Sequence, residues 1–132
     1  MNVTVDTSAV IAVIANQPER AAIVERTVGA SLIAPASLPW EVGNAFSAML
    51  RRRRITLAQA EAAVDRYQRM LFRFVDVDMQ QALRLSERLG LYAYDAYVLA
   101  CAQRMRCPLL TLDKRLAESA PLADVEVLVV GT

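Results

Sequence analysis

Short β-prone runs alternate with helical stretches along this chain, and that alternation restricts the fold more than any other feature. NVTV (residues 2–5), SLIA (31–34), FRFVDV (72–77), LLTL (109–112) and VEVLVV (125–130) each read as a strand. SLIA and LLTL are apolar enough to be buried on both faces. Helical segments fill the intervals. SAVIAVIAN follows Asp6. ERAAIVERTV comes after Pro18, which a first helical turn accepts, and Gly29 suits its end. The next helix takes Ser37 as N-cap and Pro39 in its first turn, and carries Trp40, Val42, Ala45, Phe46, Met49 and Leu50 at spacings of three and four. Thr56 with Gln59, and Asp78 with Gln81, have capping-box spacing and open two more helices, the first reaching about Leu71 and the second closed by Gly90. The segment from Tyr94 to about Arg104 is apolar nearly all round, as in a helix packed inside a domain, and Pro108 ends it. A short helix is expected from Asp113 to Glu118. Such a sequence predicts an α/β fold with a parallel sheet of four to five strands, covered by helices on both faces and joined by right-handed crossovers.

The chain has 132 residues, and no Gly-, Ser- or Pro-rich stretch is long enough to be a linker, so one domain over 1–132 is expected. Hydrophobic residues make up 55% against 22% charged, which favours a packed globule over disorder. The N-terminus lacks a basic leader region, and its apolar run is far shorter than the roughly 20 residues of a membrane span. A cytoplasmic location without membrane contact is the expectation. Cys101 and Cys107 lack the spacing of a redox or zinc motif and read as buried free thiols.

There is no histidine. Every imidazole base, catalytic triad and imidazole metal site is thereby excluded, and chemistry has to run on carboxylates, hydroxyls, Lys or Arg. In an open parallel sheet, ligands gather beyond the carboxyl ends of the strands. Asp6 follows the first strand directly, Asp113 follows LLTL, Asp95 opens the buried helix leading into LLTL, and Glu41 lies in the first turn of the helix after SLIA. Any one of them can be a mere cap or turn residue. Four together at one dry edge would repel unless a cation neutralised them. An all-oxygen set without His favours Mg²⁺ or Mn²⁺, and the cation would activate a water for phosphodiester hydrolysis. The chain carries 15 basic and 14 acidic residues, and with four acids sequestered the remaining surface is mildly basic, compatible with a polyanion.

VDTSAVIA, PWEVGNAF and YDAYVLACAQRMRCPLLTLDKRL, in that order and at these separations, closely resemble the three acidic motifs of PIN-domain nucleases. The likeness spans nearly the whole chain. The small size resembles the VapC-like toxins of type II toxin–antitoxin systems. The resemblance implies a PIN-like α/β/α sandwich and a Mg²⁺-dependent endoribonuclease, with Mn²⁺ as a substitute. A metal-activated water attacking in line would leave a 5′-phosphate and a 3′-hydroxyl. By position, Asp6 and Asp95 would be direct metal ligands, with Glu41 and Asp113 completing the cluster and Thr111 supporting it through a hydrogen bond. A homodimer and a small VapB-like antitoxin covering the acidic edge are implied as partners, beside the RNA substrate.

Other features admit competing readings. Arg51 to Arg54 suit either an RNA backbone or a solvated helix end stabilised by the macrodipole, and the second is preferred. Trp40, Phe46, Tyr67, Phe72 and Tyr97 occupy core-like positions, whereas Tyr92 and Tyr94 flank Asp95 and are better placed to stack on bases. Two rival functions remain. A phosphoacceptor signalling domain expects adjacent acids after the first strand and a Lys after the last, yet Thr7 follows Asp6 and Gly131 follows VEVLVV. A non-catalytic nucleic-acid-binding module would act through the arginine run.

Overall fold

Alternation within each strand sorts the side chains into two cores. In the computed structural model, which describes residues 1–130, Val3 and Val5 of β1 (Asn2–Val5) face one side of the sheet. Thr4 faces the other, its hydroxyl 3.1 Å from the Cys107 sulfur. α1 (Thr7–Ile14) and α2 (Arg20–Arg26) follow, then β2 (Ser31–Pro35), α3 (Leu38–Arg51), α4 (Leu57–Arg69) and β3 (Phe72–Val75). The second half adds α5 (Met79–Leu89), α6 (Ala93–Met105), β4 (Leu109–Leu110), α7 (Lys114–Ser119) and a 3-10 turn at Ala120–Ala123.

All strand pairs are parallel, in the order β3-β2-β1-β4. Val3, Val5, Ala34 and Leu110 bury against Val10 and Ile14 of α1, Val42 and Phe46 of α3, and Ala60 and Ala63 of α4. Leu109 points the opposite way into a second core built from Ala82 and Leu85 of α5, Leu99 of α6 and Leu116 of α7. Ile33 and Val75 meet Cys101 on that same face. The result is the expected α/β arrangement, a parallel sheet between two helical layers. Each large side chain removed from water contributes about 1.5–3 kcal/mol before the entropy of ordering is subtracted.

Several expectations hold in detail. Thr56 and Gln59 form a reciprocal capping box, Asp78 caps Gln80 and Gln81, and Gly90 ends α5 at φ +66°, a left-handed conformation that costs glycine little. Others are corrected. VEVLVV does not form a strand, because among the described residues its ladder contact is a single parallel bridge from Val127 to Leu109. LLTL narrows to Leu109–Leu110, because its partner β1 ends at Val5 opposite Leu110 and the chain there turns into α1 after the Asp6 amide bonds to the Leu110 carbonyl at 3.4 Å. α2 begins at Arg20, leaving Pro18 in the turn before it. Ser37 precedes α3 but caps no amide, because its hydroxyl bonds to Glu41 instead. Gly131 lies outside the described residues. Among the described residues no helix is long and apolar enough to cross a membrane.

Candidate active site

Strand order decides where the chemistry can sit. The chain moves outward from β1 to β2 to β3, then returns to place β4 on the other flank of β1. The connections leaving β1 and β4 therefore run to opposite faces of the sheet, into α1 and α7, and a crevice opens between their carboxyl ends.

Asp6 stands at this switch point and is only 6% exposed. It ends β1 and caps α1, accepting the Ala9 amide at Oδ1 over 3.1 Å. Ser8 donates to both of its oxygens, at 2.7 and 2.9 Å, and Thr111 donates to Oδ2 at 2.5 Å. The two hydroxyls also tie the end of β4 to the end of β1, Ser8 by accepting the Leu112 amide at 2.9 Å and Thr111 through its bond to Asp6, while Thr111 also accepts the Asp113 amide at 3.0 Å. Burial raises the Asp6 carboxyl above its ordinary range; Thr111, Ser8 and the Ala9 amide oppose that rise, and the charge of Asp113 adds to it.

Glu41 reaches the same edge from the first turn of α3. Thr7 donates to Oε1 at 3.0 Å and Ser37 to Oε2 at 2.8 Å. Its carboxyl is also raised, by desolvation first, against the pull of those hydroxyls and with the charges of Asp6 and Asp95 behind it. Asp95 opens α6 and is half-buried; among the described residues no donor reaches its carboxylate. Burial raises it, then Asp113 and Asp6 by repulsion, while Arg115 pulls it down. Asp113 caps α7 through one oxygen, bonded to the Leu116 amide at 3.1 Å, and is solvent-exposed.

All four acids thus come to one edge, where Asp113 raises Asp6 and Asp95, and Asp6 and Asp95 raise Glu41. Thr111 lies among them as expected. Three hydroxyls escaped the sequence reading. Thr7 and Ser8 are neighbours of Asp6 in the chain, and Ser37 stands four residues before Glu41, a helical pairing that is a usable signal. Trp40 corrects an expectation, for it is 75% exposed rather than core. It follows Ser37 by three residues, so the turn that points Val42 and Phe46 inward turns Trp40 out. Tyr92 and Tyr94 are exposed as expected, and the Arg115 guanidinium lies 6.0 Å from the Tyr92 ring centre. Cys101 is buried and its thiol is pushed up to about 11, chiefly by desolvation, while Cys107 is half-buried. Arg51 to Arg54 are exposed at the far end of α3 from Glu41, roughly 15 Å along the helix axis.

Among the described residues no three acidic side chains close on one another as a complete ion cage. That spacing still fits a hard cation such as Mg²⁺, which binds through one or two carboxylates and keeps several waters. The donor set is entirely oxygen. Three carboxyls raised by burial, each with another acid's charge pushing it further, form an environment that positive charge relieves.

The profile of the family described as PIN domain matches residues 3–120. No curated protein sequence matches the chain closely. Among solved structures, PAE2754 from Pyrobaculum aerophilum superposes with a TM-score of 0.65 at 21% identity, covering 90% of this chain and 79% of that one. FitAcB from Neisseria gonorrhoeae gives 0.60 at 18% identity and covers 96% of both chains. At these identities the two structures speak for the fold alone.

Proposed function

Because this chain belongs to the PIN-domain family, a family of nucleases, we propose that it is a divalent-cation-dependent endoribonuclease of the VapC-like type. The observation that carries the reading is the convergence of Asp6, Glu41 and Asp95 on the β1–β4 crevice, with carboxyls lifted by burial and mutual repulsion.

Asp6 and Asp95 would hold a Mg²⁺ directly, with Asp113 and Glu41 reaching it directly or through water. The bound ion would lower the pKa of a water and offset charge on phosphoryl oxygens. The chain's own residues do the positioning. Ser8, Thr111 and the Ala9 amide fix the Asp6 carboxylate at the crevice, and Thr7 and Ser37 fix both oxygens of Glu41. Asp95, which no donor among the described residues reaches, keeps both oxygens for a cation. Glu41, raised and oriented, is suited to accept a proton from the attacking water.

Asp95→Asn is the cleanest test, since no hydrogen bond is lost with its charge. It should reduce cleavage of RNA in Mg²⁺ by a thousand-fold or more while leaving the circular dichroism spectrum unchanged, and EDTA should silence the native protein. Full activity in Asp95→Asn, or indifference to EDTA, would overturn the mechanism. The toxin role, a VapB-like antitoxin and a homodimer extend the same reading. Growth arrest on expression, relieved by a small co-expressed partner, tests the first two, and sedimentation at micromolar concentration tests the third.

A further inference from the structure

A cavity of about 190 Å³ opens beside the acids, lined by Ala36, Ser37, Val77, Met79 and Tyr97. It shares Ser37 with the candidate site, because this residue helps line the cavity and its hydroxyl donates to Glu41 Oε2 at 2.8 Å. Its volume is well below the roughly 300–1,000 Å³ of sites for drug-sized ligands, so it admits one flat ring system and no more. The lining residues are those a stacking site uses: an aromatic ring in Tyr97, a polarisable thioether in Met79, an aliphatic side chain in Val77, and a serine. Tyr97 is set by an edge-to-face contact with Tyr94, their ring centres 5.8 Å apart. Trp40, one residue before Glu41, and Tyr94, one before Asp95, project as exposed aromatic rings.

We infer that this cavity receives a single nucleobase of a single-stranded RNA, splayed out next to the phosphate held at the acids, with Trp40 and Tyr94 on its rim. The inference rests on the ribonuclease reading and deepens it by naming what fixes the strand in register. The cationic run at Arg51 to Arg54 lies too far along α3 to do so. Stacking on a carbon-rich wall also lets an acidic edge hold a polyanion without a dense patch of positive charge, because binding then comes from the base and not the backbone.

Trp40 is the chain's sole tryptophan and is exposed three residues after Ser37, so its fluorescence tests whether RNA reaches that end of α3. A short single-stranded RNA is titrated in Ca²⁺, in parallel with copies carrying an abasic ribose at successive positions. Cleavage of the same set is followed in Mg²⁺. The RNA should quench Trp40, and one abasic position beside the cleaved phosphate should weaken binding about five-fold or more. Tyr97→Leu should weaken binding of intact RNA similarly and make that abasic position neutral. Met79→Ala, on a residue already 54% exposed, gives the same comparison with less risk to folding. If intact and abasic RNAs are bound and cut alike, the pocket is overturned and the nuclease stands. If bases quench Trp40 and the protein cuts nothing, the nuclease falls and the pocket stands. If RNA leaves Trp40 unchanged and a protein partner quenches it, the cavity is a protein contact and the inference fails.

Discussion

Hydroxyl groups do at residue scale what the acids cannot do alone. Asp6 sits almost fully buried and would be driven neutral by desolvation, and Ser8, Thr111 and the Ala9 amide partly hold its charge. Ser8→Ala removes two contacts to Asp6 and leaves the Leu112 amide without its acceptor. The expected cost is about 1–3 kcal/mol of stability, read from urea unfolding, together with a 10- to 100-fold loss of Mn²⁺ affinity by calorimetry. Unchanged Mn²⁺ affinity would mean that the hydroxyl serves only the β1–β4 joint. The same shifts set the acid response. Carboxyls whose folded pKa is raised bind more protons folded than unfolded, so their charges oppose folding at neutral pH and cease to as pH falls through the raised values. The cation-free protein should therefore gain stability on moving from neutral to mildly acidic pH, down to the ordinary carboxyl range near 4. Thermal melts in EDTA across that window check the sign, and a melting point that only falls on acidification would contradict it. Asp6 and Asp113 were legible as candidates because each follows a strand closely, and Glu41 and Asp95 because each lies in the first turn of a helix at the same edge. Ser8 and Ser37 were not, since a serine near a helix start reads first as a cap.

Secondary-structure elements followed from local chemistry wherever that chemistry was self-contained. The Thr56–Gln59 box and the Gly90 terminus need only neighbouring residues, and both appear where the sequence puts them. VEVLVV failed for the opposite reason: alternation shows that a segment can pair, and pairing also needs a free edge in register, which here extends to one bridge at Val127. LLTL stops at Leu110 because its neighbour β1 ends opposite it at Val5, a limit set by a distant segment and invisible in LLTL itself. Trp40 shows the limit of periodicity for a single helix, in which positions three and four apart fix the buried stripe while the flanking position falls either way. Thr56→Ala should cost about 1 kcal/mol in chemical unfolding and leave RNA cleavage unchanged, because the box opens α4 and touches none of the acids. A loss of cleavage without a loss of stability would tie α4 to the site.

At the scale of the molecule the two cores share one sheet, and the crevice exists only where they meet. Leu110, fully buried beneath the edge, should cost about 2–5 kcal/mol as Leu110→Ala and lower both stability and cleavage, as unfolding and activity measured on the same sample will show. A cation that binds only the folded chain adds stability by mass action, about 2.7 kcal/mol at a hundred times its dissociation constant. Mg²⁺ should therefore raise the melting point of the native protein, and that rise should vanish in Asp95→Asn.

Strand order also has a consequence in time. β1 is made first and β4 last of the four strands, yet they are neighbours, and Asp6 has its Thr111 partner only when β4 docks beside β1. A chain still emerging from the ribosome, growing at roughly 5–20 residues per second, holds its first acid for most of synthesis without the last. A chain whose proposed substrate is RNA is thus assembled on an RNA machine with its candidate cutting edge incomplete until Thr111 and Asp113 have been joined.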